Sequence, residues 1–304
     1  MTTIDKAIAA VTSVVLGKEE QIRLAVACLL ARGHLLIEDL PGLGKTTLAH
    51  TLARVFSLDY QRVQFTSDML PADILGVSVF DPQTRDFHLR QGPVFTQLLL
   101  ADEINRATPK TQGALLEAME ERQVTLDGET RLLPEPFFVI ATQNPVTQAG
   151  TFPLPESQLD RFLMRLSLGY PSEQVERQLL AGSDRRAQAL TLKPVASVAD
   201  LMTQMAEVPK VRASDDLIDY IQRLLAHSRS CGDFVVGLSP RAGIGLLSAA
   251  RAWALLSHRD YVLPDDVQVV FAAVASHRLA VASGAVTSAA TQKLLEAVPV
   301  VRRH

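Results

Sequence analysis

The sequence predicts an α/β domain, a parallel sheet with helices on both faces, followed by an all-α domain. Three observations carry this expectation. Short apolar runs within 35–37, 98–101 and 137–141 stop abruptly at carboxylates or polar residues, as buried parallel strands do. Segments of helical spacing lie between these runs, so strands and helices alternate. Beyond residue 172 the chain keeps helical periodicity and shows no strand-like alternation of any length. Tyr170-Pro171-Ser172 reads as the boundary, giving an α/β domain over 1–171 and an all-α domain over 172–304. A chain of 304 residues is long enough for two cores.

Residues 4–31 read as helical with a break at Leu16-Gly17-Lys18, and Ile22, Val26 and Leu29 continue one apolar face. The run Leu35-Leu36-Ile37-Glu38 then meets Asp39-Leu40-Pro41-Gly42-Leu43-Gly44-Lys45-Thr46-Thr47, behind which Leu48, Leu52 and Val55 recur at helical spacing. This is strand, phosphate loop, helix. Gly42 and Gly44 let backbone N–H groups turn around an anion, and the following helix N-terminus adds its positive dipole end. Lys45 reaches for the β- and γ-phosphates and the Thr46 hydroxyl for Mg²⁺. The strict phosphate-loop pattern is missed once, because Asp39 stands where its first glycine belongs. Val15 and Leu16, at the turn ahead of the strand, either cover an adenine ring or belong to the ordinary core.

Tyr60–Phe65 alternates as a strand, and a helix is expected to begin over Asp68–Ile74. Segments 76–80 and 87–90 alternate on either side of Asp81-Pro82-Gln83-Thr84-Arg85-Asp86, which reads as a hairpin with a polar tip. The run Leu98-Leu99-Leu100-Ala101 delivers Asp102 and Glu103 to the carboxyl edge of the sheet, where open α/β sheets bind ligands. Asp102 is placed to hold Mg²⁺ through its water shell and Glu103 to polarise the water that attacks the γ-phosphate. A helix is expected over 111–121, then a hairpin around Asp127-Gly128, then the strand Phe137–Thr142. Asn144, at that strand's carboxyl end, either orients the attacking water or belongs to an Asn-Pro turn. Arg161 and Arg165 fall at i and i+4 and are expected on one side of a helix, with Leu166-Ser167-Leu168 as the last strand. Two such arginines can equally pair with surface acids. In the second domain, Ser239-Pro240-Arg241 opens a helix with Ser as cap and Pro at its first position. A cation there opposes the helix dipole, so Arg241 is expected to meet an anion.

The net charge is −3, with 15 basic and 20 acidic side chains over 1–170 and 15 and 13 over 171–304. No Lys/Arg run exceeds two residues, which disfavours a nucleic-acid track. Cys28 and Cys231 lie far apart with no zinc-like spacing, as expected of reduced core thiols. No basic segment followed by an apolar one opens the chain, and the most apolar stretch, 267–286, is broken by His277 and Arg278. A cytoplasmic protein with no membrane span is therefore expected. An Asn-Lys-x-Asp guanine-reading motif is absent, which argues against a GTPase.

Together, Asp-Leu-Pro-Gly-Leu-Gly-Lys-Thr, Leu-Leu-Ala-Asp-Glu-Ile-Asn-Arg, Ala-Thr-Gln-Asn-Pro, Leu-Asp-Arg-Phe and Leu-Ser-Pro-Arg resemble the MoxR family of AAA+ ATPases. The resemblance covers nearly the whole chain. It implies a P-loop AAA+ core with an all-α lid, binding ATP and Mg²⁺. It further implies that Asn144 is sensor 1, Arg241 the lid-borne sensor 2, and Arg161 an arginine finger given to a neighbouring subunit. Arg165 becomes a second candidate for such a role. Segment 75–92 would be the helix-2 insert and 123–133 the pre-sensor-1 hairpin, both facing the pore of a homo-oligomeric, hexameric ring. The function implied is chaperone-like remodelling or maturation of a protein client, by metal-cofactor insertion or complex assembly, with a von Willebrand factor A domain partner. A nucleic-acid motor of the same lineage and a slow ATP-dependent signalling switch are the alternatives. The hairpin tips, with Arg85 alone among acids, speak against the motor.

Overall fold

The computed structural model describes residues 2–144, 151–182, 188–189, 191–280 and 288–301. Two helices come first, α1 (Thr3–Val14) and α2 (Glu19–Leu30). Thr2 caps α1 in a reciprocal box with Asp5, which supplies partners for N–H groups that the first turn cannot satisfy itself. Five parallel strands form the central sheet: β1 (Leu35–Glu38), β2 (Tyr60–Gln64), β5 (Leu98–Asp102), β8 (Phe138–Gln143) and β9 (Met164–Leu166). Their spatial order is β2-β5-β8-β1-β9, so the loop after β1 emerges between β8 and β9, where the strand sequence reverses. Ligands bind in the crevice at that point of an open sheet.

Period-two alternation explains how short apolar strands make two cores. Leu35, Ile37, Leu98, Leu100, Phe138 and Ile140 face one side, packing with α1, α2 and α3 (Lys45–Val55) and continuing into the helical domain. Leu36, Leu99, Ala101, Val139 and Ala141 face the other, against Ile74, Leu115, Leu116, Met119 and Phe162. The helix α4 (Pro71–Leu75) runs only five residues and begins at Pro71, not Asp68, before β3 (Gly76–Asp81) and β4 (Asp86–Gln91) form the first hairpin. At Gly92 a Cβ would lie 2.2 Å from the Ile74 carbonyl oxygen, so only glycine fits where this hairpin leaves and rejoins the domain. After α5 (Pro109–Glu121), β6 (Gln123–Leu126) and β7 (Glu129–Leu132) form the second hairpin, and Ser78 and Asp127 hydrogen-bond between the two hairpins.

The expected helix carrying Arg161 and Arg165 is not present. Helix α6 (Glu156–Leu159) stops after four residues, Arg161 lies in the turn beyond it, and Arg165 is inside β9. The reason is non-local: Met164 and Leu166 pair in register with Leu35 and Ile37, which buries both side chains against the sheet. The last strand is therefore 164–166 and not 166–168.

The helices α7 (Glu173–Ala181), α8 (Val198–Glu207), α9 (Asp215–Ser230), α10 (Pro240–Leu256), α11 (Pro264–Ala275) and α12 (Ser288–Ala297) follow. Helix α10 packs on α2, and Arg23 of α2 lies over the Trp253 ring at 4.9 Å. Among the described residues, no helix is long and apolar enough to cross a membrane.

Candidate nucleotide site

A cavity of about 550 Å³ opens at the carboxyl edge of the sheet. It is lined from the phosphate loop by Pro41, Gly42, Gly44, Lys45, Thr46 and Thr47, and from the other strands by Asp102, Glu103 and Asn144. Gly42 and Gly44 hold φ of 85° and 89°, a region closed to other residues without strain, and nothing lies within 4 Å of where their Cβ atoms would be. The loop thus leaves open the room an anion needs, directly before the N-terminus of α3.

Lys45 is buried, and its ammonium donates to the Asp39 carbonyl at 2.6 Å, to the Leu40 carbonyl at 3.1 Å and to Asn144 Oδ1 at 3.5 Å. Burial holds its pKa below the ordinary lysine value, opposed by the charges of Asp39, Asp102 and Glu103. Asn144 Nδ2 donates to Glu103 Oε1 at 3.1 Å, so one amide spans the loop lysine and the strand-end carboxylate. Asn144 is itself anchored where Asn105 Nδ2 donates to its carbonyl at 3.1 Å. Pro145, the second half of the expected turn, lies outside the described residues.

Glu103 turns the chain out of β5 with φ 56° and ψ 49°, a left-handed conformation that costs a non-glycine residue. Its N–H donates to Thr142 Oγ1 at 2.9 Å, and that hydroxyl donates to Asp102 Oδ1 at 2.6 Å. Thr142 therefore ties both acidic residues to β8 and fixes the strained turn. Glu103 Oε2 also pairs with Arg106 at 3.0 Å. The second Asp102 oxygen accepts from Arg62 at 2.8 and 3.2 Å. A threonine hydroxyl at Thr46 and a carboxylate at Asp102 in one cavity are the hard oxygen donors that Mg²⁺ takes.

The other expected site residues divide. Asp39, Leu40 and Leu43 do not line the cavity, although the first two offer their carbonyls to Lys45. The Asp39 carboxylate turns away and accepts from the Leu168 N–H, the Gly169 N–H at 3.0 Å and Ser167 Oγ at 3.2 Å. Asp39 has no positive φ, so glycine is not required there, and its side chain staples the loop to the segment after β9. Val15 is buried in the apolar core, Leu16 is half-buried, and neither lines the cavity.

Arg161 and Arg241 are brought together elsewhere. Arg161 Nη1 donates to the Leu116 carbonyl at 2.6 Å and lies 2.9 Å from Glu120 Oε2, whose other oxygen meets Arg241 Nη1 at 3.0 Å. The anion that Arg241 meets is thus Glu120 of α5. Arg165 pairs with Glu38 at 2.9 Å. Sequence reasoning passed over His50, Tyr60 and Arg62, which also line the cavity, and Thr142 and Glu120. The position of Thr142, at the end of the apolar run of β8, was a usable signal; Glu120 gave none beyond a solvent-facing helix position.

Known proteins share this fold. Residues 34–164 match the family described as "ATPase family associated with various cellular activities (AAA)", and 226–298 match the AAA lid domain. A Bacillus subtilis protein, described as the uncharacterized protein YeaC, is 47% identical over 90% of this chain and 86% of its own length. Chaperone MoxR1 of Mycobacterium tuberculosis is 38% identical over 91% of this chain and 75% of its own. A crystal structure of a protein from Cytophaga hutchinsonii superposes with a TM-score of 0.88 at 36% identity, covering 99% of this chain and 95% of that one. With the AAA and AAA lid models matching its two parts, and MoxR proteins 38% and 33% identical over 91% and 89% of its length, the chain belongs to the MoxR family of AAA+ ATPases.

Proposed function

We propose that this chain hydrolyses ATP in the cavity between the phosphate loop and the ends of β5 and β8, and that it does so in a ring whose neighbouring subunit completes the site. The observation that carries the reading is Asn144, which contacts Lys45 and Glu103 at once and so brings the phosphate-binding and water-activating groups into one hydrogen-bonded set. The loop N–H groups and Lys45 bind the β- and γ-phosphates. Mg²⁺, held by Thr46 and Asp102, would neutralise charge that builds between those phosphates. Glu103 accepts the proton of the attacking water as the new P–O bond forms and the bond to the β-phosphate oxygen breaks. Asn144 fixes the Glu103 carboxylate and, through Lys45, its distance from the phosphate.

Arg62 also lines the cavity but is held by Asp102, and among the described lining residues no further cation is left for the charge developing on the γ-phosphate oxygens. Arg161 and Arg241 do not line their own cavity, so we assign both to the site of an adjacent subunit, in trans. In that assembly Glu120 gives up the two guanidiniums as the neighbour's phosphates take its place.

The work driven by hydrolysis is remodelling of a protein client, with a von Willebrand factor A domain protein as partner. Supporting the client class, the first hairpin exposes Val77, Val79, Phe80 and Phe87, and the two phenyl rings lie 5.3 Å apart. An exposed apolar surface of this kind suits a polypeptide better than a polyanion. The test is phosphate release by purified protein given ATP with Mg²⁺ and then with the metal chelated. Release that needs the metal is expected; a folded, assembled protein that releases none contradicts the reading.

A further inference from the structure

Arg161 lies in the turn 160–163, and the backbone of that turn is not held by the α/β domain alone. Arg278, three residues beyond the end of α11, reaches across from the helical domain with its side chain only 5% exposed. Its Nε donates to Asp160 Oδ1 at 2.6 Å. Its Nη2 donates to the Phe162 carbonyl at 2.6 Å and the Asp160 carbonyl at 3.2 Å, and its Nη1 to the Leu163 carbonyl at 3.0 Å. The neighbouring His277 adds Nε2, 2.9 Å from the same Phe162 carbonyl. The carbonyls of 160, 162 and 163 therefore all meet one guanidinium, while the Arg161 side chain itself goes to Leu116 and Glu120 of α5.

A buried guanidinium is a poor choice if its only task is to hold two domains together, because apolar packing does that without the desolvation cost. The planar fork of arginine does something apolar packing cannot: it sets the direction of several acceptors at once. Here one acceptor is the Val274 carbonyl of α11, and the others belong to Asp160, Phe162 and Leu163 around Arg161.

We propose that Arg278 is a positioning residue for Arg161, fixing the turn that presents it and making that presentation follow the orientation of the helical domain. The proposal rests on Arg161 acting in a neighbour's site.

The experiment compares Arg278→Gln, Arg278→Lys, Arg161→Ala and the double variant Arg161→Ala/Arg278→Lys. Melting curves establish folding, and should the Gln variant fail to fold, the Lys variant carries the test. ATP affinity is expected within about twofold of the parent, since no Arg278 contact reaches the cavity. Turnover is expected to fall ~10-fold or more for Gln and less for Lys, the scale of a misplaced catalytic group. The double variant should be no slower than Arg161→Ala alone, because Arg278 acts through Arg161. Mixing Arg278→Gln with Lys45→Ala subunits should restore turnover, as an intact phosphate loop then meets a correctly held arginine.

A folded Arg278 variant at parental turnover overturns the proposal, as does a loss additive with that of Arg161→Ala. Rescue of Arg161→Ala by Lys45→Ala without rescue of Arg278→Gln overturns it while leaving the trans assignment standing. Failure to rescue Arg161→Ala itself removes the trans assignment, and this proposal with it.

Discussion

Replacing Glu103 by Gln separates water activation from everything else the site does. Gln has the size of Glu, inherits the same left-handed turn held by Thr142, and can still accept from Asn144 Nδ2 through its amide oxygen. What disappears is the ability to take a proton. A positioned general base contributes ~10²-fold or more, about 2.7 kcal/mol of barrier at 1.36 kcal/mol per decade. The variant also loses the charge partner of Arg106, but that pair is part-exposed, at 54% and 22%, and is worth under ~1 kcal/mol. That translates to a melting shift of no more than ~4 °C for a chain of this size. Steady-state phosphate release should therefore drop by ~10² or more while ATP affinity and melting temperature stay near the parent. Parental turnover, or lost ATP binding in a folded variant, would refute the assignment of Glu103 as the base.

Lys45→Ala should abolish ATP binding by equilibrium titration, because the phosphates lose the one side-chain cation the loop supplies; near-parental affinity would mean that the loop amides suffice. Replacing residues 81–86 by a short Gly-Ser turn should leave ATP affinity intact and uncouple hydrolysis from client binding; lost nucleotide binding would show the hairpin to be structural. Acid stability offers a third check, at His34. The side chain is buried, its Nδ1 accepts from the Val139 N–H and its Nε2 donates to the Met119 carbonyl, and burial lowers its pKa to about 4. Between pH 6.5 and about 4 the unfolded chain binds a proton the folded chain refuses, so stability falls as pH falls through that window, by roughly 3 kcal/mol. His277 is shifted the same way by burial. Urea unfolding of His34→Gln should show a shallower loss over this range, and an unchanged slope would contradict the account.

What the sequence made legible was local. The β1–α3 loop announces itself because two glycines, a lysine and a threonine must lie close together to wrap a phosphate, and Asp102-Glu103 because two carboxylates closing an apolar strand fall at the ligand-binding edge of the sheet. Arg161 and Arg165 were misplaced because i, i+4 spacing describes a helix only if nothing else claims the segment. Pairing of Met164 and Leu166 with Leu35 and Ile37, about 130 residues away, claims it for β9. Asp39 looked like a defect in a glycine pattern, and its purpose lies with Ser167, Leu168 and Gly169. Glu120 and Arg278 were invisible for the same reason: each matters through partners on other elements, and in sequence Arg278 only interrupts an apolar stretch.

The central claim is an ATPase site that one subunit cannot complete. Its most direct test is the specific ATPase activity of the parental protein measured across a dilution series, with assembly state followed on the same samples. The account predicts activity per subunit that falls steeply, by ~10³-fold or more, as the assembly dissociates, because Arg161 then serves no site. Undiminished activity in a verified monomer would contradict it.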